Sequence, residues 1–158
     1  MDRIDQLDAR ILRALDDDPA ATTVALSATL GVARNTVAAR LARLQRDGVL
    51  TSPGSRVDPR ALGYDLVAFV EVVVSQGNAQ PALTELASIP EVIEINATSG
   101  RADALVRVVA RDTADLYRVT NAMLETPGVL RSSTAIVLTE ALPLRVAPLL
   151  DRRASGEG

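Results

Sequence analysis

Between Thr22 and Leu50 the chain reads TTVALSATLGVARNTVAARLARLQRDGVL, two short helix-forming stretches broken at Gly31. That break constrains the N-terminal part more than any other feature. Thr22 or Thr23 offers an N-cap oxygen, and Val24, Leu26 and Leu30 offer apolar contacts before Gly31 ends the helix. The next helix begins near Arg34, turns Val37, Leu41 and Leu44 inward, and closes at Gly48. Upstream, Ile4, Leu7, Ile11 and Leu15 recur at helical spacing until Asp16-Asp17-Asp18-Pro19 stops them. Three short helices with a glycine between the last two predict a helix-turn-helix domain over residues 1–48.

The charges support that assignment. The whole chain carries a net charge of −3, and every cation is an arginine. The acids of the first helix (Asp2, Asp5, Asp8, Asp16, Asp17 and Asp18) outnumber Arg3, Arg10 and Arg13, whereas Pro19 to Arg46 holds arginines and no acid. Ionic screening limits phosphate attraction to roughly 10 Å at moderate salt, so this local patch outweighs the total. Arg34, Asn35 and Thr36, at the start of the third helix, are the candidates for base edges. Arg40 and Arg43 are expected on phosphates, with pairing of Arg40 to an acid of the first helix as the alternative. Thr22 and Thr23 are helix caps whose backbone amides can also meet phosphate.

After a connector over 49–63, marked by Pro53-Gly54 and Asp58-Pro59, the period changes. Leu66 to Val74 reads as a strand, and Pro81 starts a helix with Leu83, Leu86 and Ala87 inward. Val92 to Ala97 and Ala104 to Ala110 are strands. Asp112 caps a helix carrying Leu116, Val119 and Met123, and Val129 to Leu138 is the last strand. The order β-α-β-β-α-β over 64–142 predicts a ferredoxin-like domain, so the class is α+β. Residues 143–158 are expected as a C-terminal tail, disordered from Ala154. Two helices cover one sheet face, yet the other also carries valine and isoleucine, which predicts sheet-to-sheet dimerisation. Such a dimer places two reading helices about a two-fold axis, as a palindromic operator requires.

Composition narrows the chemistry. With 47% hydrophobic residues the chain can bury a core. The lack of a long apolar run excludes a helical membrane span, and MDRIDQLDAR has no signal-peptide core, so the expected location is cytoplasmic. Neither histidine nor cysteine occurs, which removes the usual metal ligands and general base. No metal, no cofactor and no enzymatic activity are expected.

The ordered set of DRIDQLDARILRAL, VALSATLGVARNTVAARLARLQRDGVL and EINATSGRADALVRV resembles the leucine-responsive/asparagine-regulator (Lrp/AsnC, feast-famine) family of transcription regulators. The resemblance runs from about Ile4 to Glu140. It implies a homodimer, often a higher even oligomer, that binds double-stranded DNA. It also implies a small effector, usually an amino acid, held by the second (RAM-type) domain. Ser99, Gly100 and Asp103 match the family's effector turn; Asp103 either pairs with an α-ammonium or orders the turn. Arg101 is an exposed residue or meets an effector carboxylate. Thr134, Ala135 and Ile136 fall where relatives line the same pocket. Two departures stand out: Ala33 replaces the serine that often precedes the reading helix, and Pro53-Gly54 replaces an extended pair. Two other functions compete, a ligand-independent DNA-compacting protein and a haem-pathway decarboxylase on the same plan. The absence of histidine argues against the latter.

Overall fold

The structure, a computed structural model, describes residues 4–51 and 57–156. Two compact units form: one takes its described residues from Met1–Arg56 and Leu142–Gly158, and the other is Val57–Ala141. The Pro53-Gly54 turn expected in the connector lies outside the described residues, as do Asp2, Arg3, Glu157 and Gly158.

In the first unit, helix α1 spans Gln6–Asp17. Asp5 caps it in a reciprocal box, accepting from the Asp8 amide while the Asp8 carboxylate accepts from the Asp5 amide. Helix α2, Thr23–Leu30, is capped by the Thr22 hydroxyl accepting from the Ala25 amide at 3.2 Å. Gly31 ends it at φ 65°, a conformation that costs a side-chain-bearing residue free energy. Helix α3, Arg34–Arg46, follows at once. Ile11, Leu26, Val37 and Leu44 are fully enclosed. Val24, expected to pack inward, is instead exposed, because α2 turns only its Leu26 face to the core. After α3 the amides of Val49 and Leu50 fold back on the Leu44 carbonyl.

The second unit is an antiparallel sheet with helices on one face. Its strands are β1 Leu66–Val74, β2 Val92–Ala97, β3 Ala104–Ala110 and β4 Val129–Ile136, ordered β2-β3-β1-β4. Helix α4 (Ala79–Leu86) joins β1 to β2, and α5 (Thr113–Glu125) joins β3 to β4. Strand alternation builds the core directly. Ala68, Val70, Val72 and Val74 lie beside Ala104, Val106, Val108 and Ala110, covered by Ala82, Leu86, Leu116, Val119 and Met123. The odd-numbered residues of β1 (Val67, Phe69, Glu71 and Val73) take the opposite face, where Phe69 remains exposed. Helix α4 begins two residues before Pro81, since a proline in a first turn forfeits no intrahelical bond. It buries Ala82 and Leu86, while Ala87 is exposed. β4 ends at Ile136, short of Leu138, with one further ladder bond from the Val137 amide to the Val67 carbonyl.

The segment expected as a tail contains a helix that the sequence reading did not assign. Ala147–Ala154 forms helix α6, and Leu150 joins Ala9, Leu12 and Leu44 in the core of the first unit.

Asp115, with its side chain 4% exposed, fastens the start of α5. It accepts from the Arg111 side chain and amide and from Arg118, which also pairs with Glu91. The Arg111 guanidinium, then the Arg111 amide and Arg118, hold the Asp115 carboxyl well below the usual carboxylate range. A depressed folded-state pKa stabilises the fold above the ordinary value and ceases to do so as pH falls through the folded one. Hence the thermal midpoint of wild type should exceed that of Asp115→Asn at neutral pH, and the gap should close on acidification below roughly pH 4. Calorimetric or circular-dichroism melts across pH 2 to 7, roughly spanning that range, check it.

Candidate nucleic-acid interface and effector turn

The first turn of α3 carries Arg34, Asn35 and Thr36, all exposed. Ala33 occupies the N-cap and makes no side-chain bond to the helix, so the amides that a serine would hold are left without that partner. A positive helix end, a guanidinium and an amide side chain therefore lie together on an uncovered surface. Farther along the same exposed side come Ala38, Ala39 and Ala42, whose small side chains leave the helix slim enough for a groove, and then Arg46. Thr22 is exposed and Thr23 half-buried, so both stand at the N-terminus of α2 as the sequence places them.

Arg40 and Arg43 do something else. Asp8 is fully buried, and its carboxylate receives Arg40 at 3.0 Å and Arg43 in a second ion pair. Arg40 also bonds Asp5. Burial raises the Asp5 pKa, but the Arg40 hydrogen bond and the Asp8 and Leu7 amides outweigh it and hold the group below its ordinary value. A buried carboxylate needs its charge matched, and both guanidinium groups reach it to do so. The pairing of Arg40 with acids of the first helix, its alternative to a phosphate contact, is present in the structure, and Arg43 shares the Asp8 partner. Of the four arginines on α3, Arg34 and Arg46 are exposed, and among the described residues Arg46 has a long 3.8 Å contact to Asp47.

In the second unit the turn between β2 and β3 is closed by the Thr98 amide on the Asp103 carbonyl (3.0 Å) and the Thr98 hydroxyl on the Ala102 carbonyl (2.8 Å). Gly100 sits at φ 123°, with open space where a Cβ would point. Ser99, Gly100 and Arg101 are exposed. Asp103 is more constrained: its amide donates to the Val72 carbonyl, and its Oδ2 accepts from the Val74 amide at 2.9 Å. It laces the turn to the end of β1, leaving one carboxylate oxygen for another donor.

Beside this turn lies an open depression of about 310 Å³, lined by Glu71, Val73, Arg101, Ala102, Arg131 and Ser133. Arg101 meets Glu71 at 3.0 Å. The strand residues expected there fall on both sides of the sheet. Thr134 pairs with Val70 and Ile136 with Ala68 on the helix-covered side, whereas Ala135 pairs with Phe69 on the open side. Adjacent strand residues cannot share a face, so Thr134, Ala135 and Ile136 do not form one lining. Arg131 and Ser133 are the β4 residues at the depression. Glu71, also missed, was marked by its position as the one charge within LVAFVEVVV.

Comparison with known proteins gives two family-level matches, a winged helix-turn-helix DNA-binding domain over residues 4–51 and an Lrp/AsnC ligand-binding domain over 67–146. The HTH-type transcriptional regulator FL11 of Pyrococcus horikoshii is 31% identical over 147 residues, covering 90% of this chain and 97% of that protein. The regulatory protein AsnC of Escherichia coli is 29% identical over 147 residues, covering 92% and 97%. The solved structure of E. coli AsnC superposes with a TM-score of 0.82 at 28% identity, over 93% of this chain and 100% of that one.

Proposed function

The chain belongs to the Lrp/AsnC family of DNA-binding transcriptional regulators, and from that premise we propose how it reads DNA and what it senses. The observation that carries the reading is the exposed Arg34-Asn35-Thr36 turn at an uncapped helix end, directly after the α2–Gly31 turn. Arg34 and Asn35 contact base edges in a major groove, and Thr36 packs beside them. Thr22 and Thr23 present the α2 terminus to a phosphate, and Arg46 adds a cation at the far end of α3. The protein works in the cytoplasm as a homodimer, or a higher even oligomer, on a palindromic operator. The open sheet face, with Phe69 at its centre, supports pairing between copies.

The effector is an amino acid held against the Thr98–Asp103 turn. The remaining Asp103 oxygen and Glu71 suit an ammonium, and Arg101, Arg131 and the amides exposed around Gly100 suit a carboxylate. Ser99 and Ser133 stand at the rim.

Arg34→Ala or Asn35→Ala should narrow the gap between operator and random DNA by about 1–3 kcal/mol while leaving the thermal midpoint in place. Fluorescence anisotropy with both DNAs measures this; unchanged discrimination would remove α3 from the reading role. Footprints spread over unrelated sequences and indifferent to every amino acid would favour DNA compaction instead.

For the effector, a thermal-shift screen of the amino acids identifies the ligand, because binding to the folded form alone raises its stability. Asp103→Ala should then weaken that ligand and abolish its influence on DNA binding or oligomer size, with ligand-free DNA binding retained. A calorimetric titration in which this variant binds the same amino acid as tightly as wild type would eliminate the turn as the site.

A further inference from the structure

Helix α6 lies beyond both family-matched ranges, yet it is built into the first unit. Its Leu150 is buried against Ala9 and Leu12 of α1 and Leu44 of α3, with Ala154, Ile4, Val49 and Leu50 packed around the same cluster. Polar contacts fix where the helix sits. Arg13 of α1 reaches Asp151 at 3.0 Å, the Arg153 Nε donates to the Ile4 carbonyl at 2.9 Å, and Gln6 donates to the Ala154 carbonyl. These bonds engage both the start of α1 and its last turns, so the helix is held at two points and not merely laid on an apolar patch.

The placement has a consequence for α3. Helix α1 holds α3 through Asp5 and Asp8, and α6 supports α1 while touching α3 at Leu44. The reading helix is thus seated on two others, one from each end of the chain. The sequence also leads from β4 to α6 through ten residues, 137–146, so the strand beside the effector depression and the support of α3 are covalently close.

We propose that α6 is a positioning element for DNA reading: Leu150, with Asp151 and Arg153, holds α1 and α3 in the arrangement in which α3 discriminates its operator. The proposal rests on the DNA-reading role of α3 and extends it to a part of the chain outside that helix. Positioning and DNA binding are then one linked equilibrium. Whatever docks α6 strengthens operator binding, and operator binding must tighten α6 by the same factor.

The test uses the full-length chain. Leu150→Ala leaves a cavity under α6 and should lower operator affinity about tenfold, with a smaller loss on random DNA and unchanged oligomer size in sedimentation. Leu150→Met, which fills the same space, should restore wild-type affinity. In the wild-type protein, amide hydrogen exchange over residues 147–154 should slow when operator DNA is added and slow less with random DNA. If Leu150→Ala fails to fold, the exchange measurement decides alone. Loss of the reading role of α3 itself would show as Arg34→Ala binding operator normally, an outcome separate from these. The proposal is overturned if Leu150→Ala binds operator as wild type does, or if exchange over α6 is indifferent to operator DNA.

Discussion

The buried Asp8 carboxylate is the interaction on which the reading domain depends. It lies within α1 at helical spacing from Ile11 and Leu12, on the apolar side, so folding carries a charge into the core. That charge is tolerable only with partners, and Arg40 and Arg43 from α3 supply them while the Asp5 amide takes a further lone pair. The ion cluster does what an apolar contact cannot: it specifies the register of α3 against α1, because guanidinium and carboxylate must meet at defined positions. With the inner side of α3 fixed this way, its first turn is free to present Arg34, Asn35 and Thr36 outward.

The second unit follows a simpler constraint, the two-residue period of its strands. In β1 that period sends Ala68, Val70, Val72 and Val74 under the helices and Val67, Phe69, Glu71 and Val73 to the open side. The same strand therefore builds the core and supplies Glu71 and Val73 to the depression beside the Thr98–Asp103 turn. Asp103 ties that turn to β1 through Val72 and Val74, so the turn is anchored to an inner strand of the sheet. Work on DNA and sensing of a small molecule thus reside in different units joined by short segments.

Much of this was legible in the sequence where a local rule applied. Thr22, Gly31 and Asp112 mark helix ends through their own side-chain or backbone chemistry, and each does so in the structure. The four strands and their order with α4 and α5 follow from the change of period after Gly63. What stayed hidden depended on pairing between distant segments. Arg40 lies three residues past Val37 and four before Leu44, an inward position, but only the presence of Asp8 across the interface turns that into an ion pair and not an error of patterning. The Asp5-x-x-Asp8 spacing was the available clue. Thr134, Ala135 and Ile136 were grouped by resemblance, although strand alternation already separates them. Helix α6 is short, and its apolar Leu150 finds a reason only in Leu12 and Leu44, more than a hundred residues away.

We propose that α3 divides its arginines: Arg40 and Arg43 hold the domain through Asp5 and Asp8, and the helix meets DNA elsewhere. The most direct measurement is the salt dependence of operator binding by Arg40→Gln and Arg43→Gln, taken together with their thermal midpoints. A slope of log affinity against log salt equal to wild type, with a lowered midpoint for each, is expected. A midpoint unchanged from wild type, with the slope flattened by about one phosphate contact per substituted arginine, would contradict it.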